Sequence, residues 1–248
     1  MRYLLGTALF VITSIGAPTS ARAQAAEAEV SAAGTAVELR SVINGNRETY
    51  RGFLAGVEGR VAWDRLALRL GYGQGPLDRT FVDFHGRSFV DGYARVDVRV
   101  IDRLELGIAS RARAYSAGSP SGPSLLRMAI SGAQQTGVRR WLLWELHGRY
   151  DREVIPELIG IYADGWWTRP GRINPDETYY GGRGGEVGLA VRPDWPPVAV
   201  RFGYAIDEIR IGNVGRETVE RVTLTVGYAI GRARPEATAA VRAGTTRD

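Results

Sequence analysis

The chain has 248 residues, 32 of them basic and 27 acidic, and every basic residue is an arginine. With no cysteine it can form neither disulfides nor thiolate metal sites nor a cysteine nucleophile, and two histidines leave little for a histidine-based metal site. An apolar share of 44% excludes wholesale disorder, and 32 glycines point to turns and close backbone approach more than to helices.

Arg2, the apolar run from Leu4 to Ile15 and the small-x-small triplet Ala21-Arg22-Ala23 have the order of a secretory signal peptide, so residues 1–23 are expected to be removed on export. The run falls short of the roughly 20 apolar residues of a membrane anchor, and no later stretch is long enough for a membrane helix. Losing Arg2 and Arg22 lowers the formal charge from +5 to +3, too small an excess to argue for nucleic acid as a partner. Residues 24–34 read as an N-terminal periplasmic segment.

From residue 35 onward the pattern has period two. In Leu66-Ala67-Leu68-Arg69-Leu70 the large apolar groups take every second place, with arginine or a small residue between them, which is a strand with two unlike faces. The same alternation runs through Ala94 to Val100, Leu104 to Ile108, Leu142 to Tyr150, Val198 to Tyr204 and Val222 to Ile230. A helical face would need apolar groups at i, i+3, i+4 and i+7, where these segments place Arg, Glu or Gly. Strands are expected near 35–43, 49–62, 66–74, 88–100, 104–115, 124–133, 140–150, 185–191, 198–206 and 218–230. Short connections such as Trp63-Asp64-Arg65 and Ile101-Asp102-Arg103 alternate with long ones at 74–87, 116–123, 151–184 and 207–217. The expected fold is all-β: an antiparallel up-and-down transmembrane barrel of about ten strands, with 8 or 12 as the alternatives. The domain is 35–230, and 231–248 reads as a disordered polar tail.

Alternation alone leaves two assignments open, because a soluble barrel or sandwich turns its apolar face inward and a membrane barrel turns it outward. The export signal, the glycines at small-face positions and the aromatics near strand ends favour the membrane form. With this pattern the chain resembles the bacterial outer-membrane β-barrel superfamily over residues 35–230. It departs from it after Tyr228, where a polar tail stands in place of a closing aromatic terminus. The resemblance implies outer-membrane lipid as the partner.

The charged face supplies the candidate site. Arg40, Arg60, Arg69, Arg95, Arg99, Arg111, Arg113, Arg149 and Arg201 stand against Glu38, Glu58, Asp97, Glu105 and Glu145, with His147 among them, so this face is formally +4. If it lines a lumen, it is either an ion-paired filling or a small anion-preferring pore that passes small anionic solutes. In the long outer segment Trp166, Trp167, Arg169, Tyr179 and Tyr180 are candidates for stacking on a ligand. Asp83-Phe84-His85 resembles the Asp-x-His pair of the omptin outer-membrane proteases, but the second acidic pair of that family is not found as Asp-x-Asp, although Asp207 and Glu208 lie on another expected outer loop, and the chain is not expected to be an enzyme. No metal or cofactor site is expected.

Overall fold

The computed structural model describes residues 27–79, 87–117, 126, 130, 138–156, 158–169, 172–174, 177–193 and 197–230. The expected signal peptide, the tail and the Asp83-Phe84-His85 triplet lie outside the described residues. Eleven strands follow in chain order: β1 (Glu27–Ile43), β2 (Asn46–Trp63), β3 (Leu66–Arg79), β4 (Arg87–Ile101), β5 (Leu104–Ala117), β6 (Val138–Ile155), β7 (Ile159–Arg169), β8 (Arg172–Asn174), β9 (Glu177–Val191), β10 (Val198–Ile211) and β11 (Gly215–Ile230). Ten of them make one closed antiparallel barrel, each strand pairing with its chain neighbours and β11 returning to β1 from Ala28↔Ile230 to Ile43↔Gly215. β8 only prolongs one end of β9. Closure leaves none of the ten barrel strands at a sheet edge.

The hairpins follow from turn chemistry. Asn44 and Gly45 both take positive φ, 51° and 81°, which is the two-residue turn whose twist matches the strands on either side. Asp64, at φ 51°, opens the equally tight β2–β3 turn at the opposite end.

Ten strands are found as expected, but one of the ten is a different segment. The expected strand at 124–133 is not in the barrel: of that stretch Leu126 and Ile130 are described, and both are helical. Leu126 packs from outside on Val90, Ala112, Ala114 and Tyr72. The tenth strand is instead β7, inside what reads as a long connection at 151–184. The first strand also begins at Glu27, so most of the stretch expected as a periplasmic segment is paired on both sides.

The distribution of polarity is the main feature of the fold. Over the lower two-thirds of the barrel the large apolar side chains point outward and are exposed, among them Val30, Val57, Leu70, Val96, Leu106, Leu146, Phe202, Leu224 and Val226. The intervening positions carry buried charge, including Arg95, Asp97, Glu105, Arg111, Glu145 and Asp164. Toward the end that carries the Asn44-Gly45 turn the pattern inverts along the same strands. On β1, Val37 and Leu39 turn inward and are buried, while Glu38 and Arg40 point out. On β10, Phe202 is exposed and Arg201 points in, but seven residues on Ile209 is buried and Arg210 exposed. The outward apolar belt is about five outward positions tall on each strand, which at ~3.3 Å per residue and a 35–45° tilt gives roughly 20–25 Å. Above it the barrel is built like a water-soluble one, apolar inside and charged outside.

Candidate functional site

The lumen has three layers. At the outer end Leu39, Tyr50, Leu77, Phe89, Tyr115, Trp141, Leu143, Ile209, Ile211 and Val219 form one buried apolar cluster contributed by eight strands. Following the pairing register around the ring brings these residues to similar heights. Tyr50 and Tyr115 reach toward each other from β2 and β5 with centroids 6.4 Å apart, and Tyr115 and Trp141, on the adjacent strands β5 and β6, are 5.3 Å apart. Trp141 is 1% exposed and Tyr50 0%, so these rings are packed inside the outer end of the lumen.

The middle layer is ionic and ties opposite walls together. Arg113 on β5 reaches Asp207 on β10 at 2.7 Å, and Arg221 on β11 reaches Asp91 on β4 at 3.0 Å. Trp166 donates to Asp207 at 3.3 Å, and Arg111 stands 3.4 Å from Glu145 with its guanidinium over the rings of Tyr93 and Trp166. His147 is held between two carboxylates: Nε2 lies 3.0 Å from Glu145 and Nδ1 3.2 Å from Asp164, with Arg95 2.9 Å from the same Nδ1. Arg95 also pairs with Asp97 and Asp164. Two glycines of β9 make room for this layer, since a Cβ on Gly184 would sit 2.3 Å from the Trp166 indole and one on Gly188 2.4 Å from the Tyr162 ring. The space left among these groups is about 150 Å³.

The third layer opens at the end that carries the short turns and both barrel termini. Here a cavity of about 470 Å³ is lined by Arg60, Arg69, Arg99, Glu105, Arg149, Asp151, Arg201 and the residues of the mouth. Arg69 bonds Asp97 at 2.9 Å and Glu105 at 2.6 Å, Arg149 bonds Asp151 at 2.8 Å, and Arg201 pairs with Glu29.

The structure brings most of the expected charged residues together. Glu58, Arg60, Arg69, Arg95, Asp97, Arg99, Glu105, Arg111, Arg113, Glu145, His147, Arg149 and Arg201 all face the lumen. Arg40 does not: its side chain points outward at 51% exposure, above the height at which polarity inverts, and Glu38 beside it does the same. The aromatic candidates are not on a loop either. Trp166, Trp167 and Arg169 belong to β7, with Trp166 buried in the ionic layer and Trp167 outward at 53% exposure, and Tyr179 and Tyr180 lie in β9. Counting the described side chains, the lumen also holds Arg192, Arg221 and ten further carboxylates: Glu27, Glu29, Glu48, Asp91, Asp151, Glu153, Asp164, Glu186, Asp207 and Glu217. Ten arginines therefore face fourteen carboxylates, and the excess of positive charge expected from the sequence is not present. Asp91, Asp207 and Arg221 stand on the same strand parity as Arg95, Arg201 and Thr223, so the alternation itself could have found them. Asp164 required β7 to be recognised first. Among the described residues no group of acidic and histidine side chains is arranged to hold a metal ion.

Fold and lumen together define a closed barrel with an apolar exterior belt and a charged interior. No protein-family model matches the chain, and no curated protein matches it. Solved structures similar to it include the outer membrane protease OmpT of Escherichia coli, with 10% identity over 86% of this chain and 99% of that one at a TM-score of 0.45. An outer membrane channel of Pseudomonas putida F1 is 15% identical over 87% and 100% at 0.42, and the transport unit of the Escherichia coli autotransporter AIDA-I is 8% identical over 92% and 97% at 0.39.

Proposed function

We propose that the chain is a structural outer-membrane barrel whose lumen is a blind vestibule open to the periplasm, and not a pore. The observation that carries this reading is the vertical order of the lumen. An open charged cavity lies at the end with short turns, an ionic layer lies across the middle, and an apolar layer with rings in contact lies at the other end. In bacterial outer-membrane barrels the short turns face the periplasm, which orients the vestibule inward and the apolar layer toward the cell exterior. The apolar belt supports a lipid surrounding, because a belt of that height with exposed Leu, Val, Phe and Ile would be a severe aggregation liability in water. The balance of arginines and carboxylates supports an ion-paired filling over an anion path, since Arg69, Arg95, Arg111, Arg113, Arg149, Arg201 and Arg221 all have carboxylate partners and few guanidinium groups are left to attract a passing solute.

The test is conductance together with fractionation. The protein should be recovered with outer membranes, and in planar bilayers the inserted protein should give no steps. Trp141→Ala with Tyr115→Ala should remove the ring contacts and produce small steps. Steps from the wild type, with reversal potential shifted toward anions, would overturn the sealed reading in favour of a pore. Recovery as a soluble periplasmic protein would overturn the membrane reading.

A further inference from the structure

Immediately above the apolar belt the exterior is not evenly charged. On the four adjacent strands β10, β11, β1 and β2 the outward positions above Ile206, Val222, Ala36 and Phe53 carry Arg210, Arg216, Arg40 and Arg51, two, three, two and one positions up, with Glu208, Glu220 and Glu38 at the first position on β10, β11 and β1. Their side chains are 67%, 64%, 51% and 62% exposed. Only three carboxylates accompany them. Glu38 is shared by Arg40 and Arg51, each at 2.5 Å, and Glu220 lies 3.0 Å from Arg40. Glu208 stands 3.8 Å from both Arg210 and Arg216, at the far limit of an ion pair.

One pairing within this patch is unfavourable as it stands. Arg210 and Arg216 are directly opposite each other in the β10–β11 register, and like charges so placed repel. One distant carboxylate between them leaves most of that repulsion in place. A ligand that brings negative charge and several acceptor oxygens to the pair would relieve it, and a phosphate group matches the planar fork of each guanidinium. The height of the patch fixes where such a group comes from. Its arginines begin one to three outward positions above the last belt residue, which is the depth of lipid headgroups around a barrel whose belt spans the hydrocarbon.

We propose that the β10–β11–β1–β2 face is a docking surface for the phosphate of an outer-leaflet lipid, with Arg210 and Arg216 as its main contacts and Arg40 and Arg51 flanking them. This rests on the membrane reading above and adds a ligand to it. The lipid's chains lie along the exposed belt of the same strands, over Ile206, Phe202, Val222 and Leu224, while its phosphate bridges the opposed arginines.

The test is native mass spectrometry of the detergent-purified barrel after exchange with a diphosphorylated glycolipid (lipid A) or with the same lipid dephosphorylated. The wild type should retain one phosphorylated lipid at least tenfold better than the dephosphorylated form. Arg210→Gln with Arg216→Gln should abolish that difference, and Arg152→Gln, at the rim of the cavity at the opposite, periplasmic end, should leave it intact. A second readout separates binding from folding: relieving the Arg–Arg repulsion should raise the urea midpoint of the lipid-free double variant and lower that of the lipid-loaded one relative to wild type. Equal retention of both lipids, or undiminished retention by the double variant, would overturn the proposal while leaving the membrane reading intact. Failure of the wild type to enter any bilayer would overturn both.

Discussion

Glu38 shows how local surroundings decide the role of a charged residue in this chain. Its neighbours in sequence, Val37 and Leu39, are buried in the apolar layer, so Glu38 is turned outward above the belt, where Arg51 and Arg40 donate to it. Partial burial pushes its carboxyl up, but the hydrogen bonds from Arg51 and Arg40 outweigh this and hold it below the usual carboxylate range. A carboxyl whose folded value is lowered stabilises the fold above its unfolded value, about 4.3, and loses that contribution as pH falls through the lowered folded value. Glu38→Gln should therefore reduce the urea midpoint at pH 7, while at pH 3 variant and wild type should converge. A difference that stays constant from pH 7 to pH 3 would show that Glu38 contributes by packing rather than by charge.

At the scale of single strands, the inversion of polarity governs what each position tolerates. Phe202 lies outward near the middle of the belt, and Phe202→Arg should cost about 2–4 kcal/mol in a lipid-refolding titration. Thr49 is also outward but lies above the belt on β2, opposite Arg40, and Thr49→Glu should stay within about 0.5 kcal/mol. Equal losses at the two positions would mean that the belt does not meet hydrocarbon. The same inversion explains what could be read from the sequence. Alternation placed nine of the ten barrel strands, because in β3 to β5 and in β10 large apolar and charged or small residues keep to opposite parities over the belt. Arg40 reads as a lumen residue when the charged face is taken as inward along all of β1, whereas Val30 and Arg40 share one parity and both point out; nothing in the alternation marks the height at which the two faces exchange polarity. β7 was hidden because Ile159-Gly160-Ile161-Tyr162-Ala163-Asp164-Gly165-Trp166-Trp167 carries aromatic or apolar groups on both faces: Tyr162 and Trp166 turn inward onto β9, and Ile161 and Trp167 turn outward. The layered lumen was not legible at all, since it depends on which residues the stagger of the barrel brings to one height.

For the molecule as a whole, the outer apolar layer and the belt support one combined proposal: the chain spans the bilayer, and no aqueous path runs through it. The absence of native cysteine allows this to be tested with single introduced thiols and a small membrane-impermeant reagent added outside sealed proteoliposomes. Arg40→Cys marks the outer end, above the belt, and Arg99→Cys marks the vestibule at the other. In vesicles of mixed orientation the first should react only in the fraction of molecules whose outer end faces out, and the second only in the complementary fraction, so that the two labelled fractions add to about one. If Arg99→Cys is labelled essentially completely at the same insertion ratio, the reagent has passed through the lumen or the chain does not span the bilayer, and the sealed transmembrane barrel is contradicted.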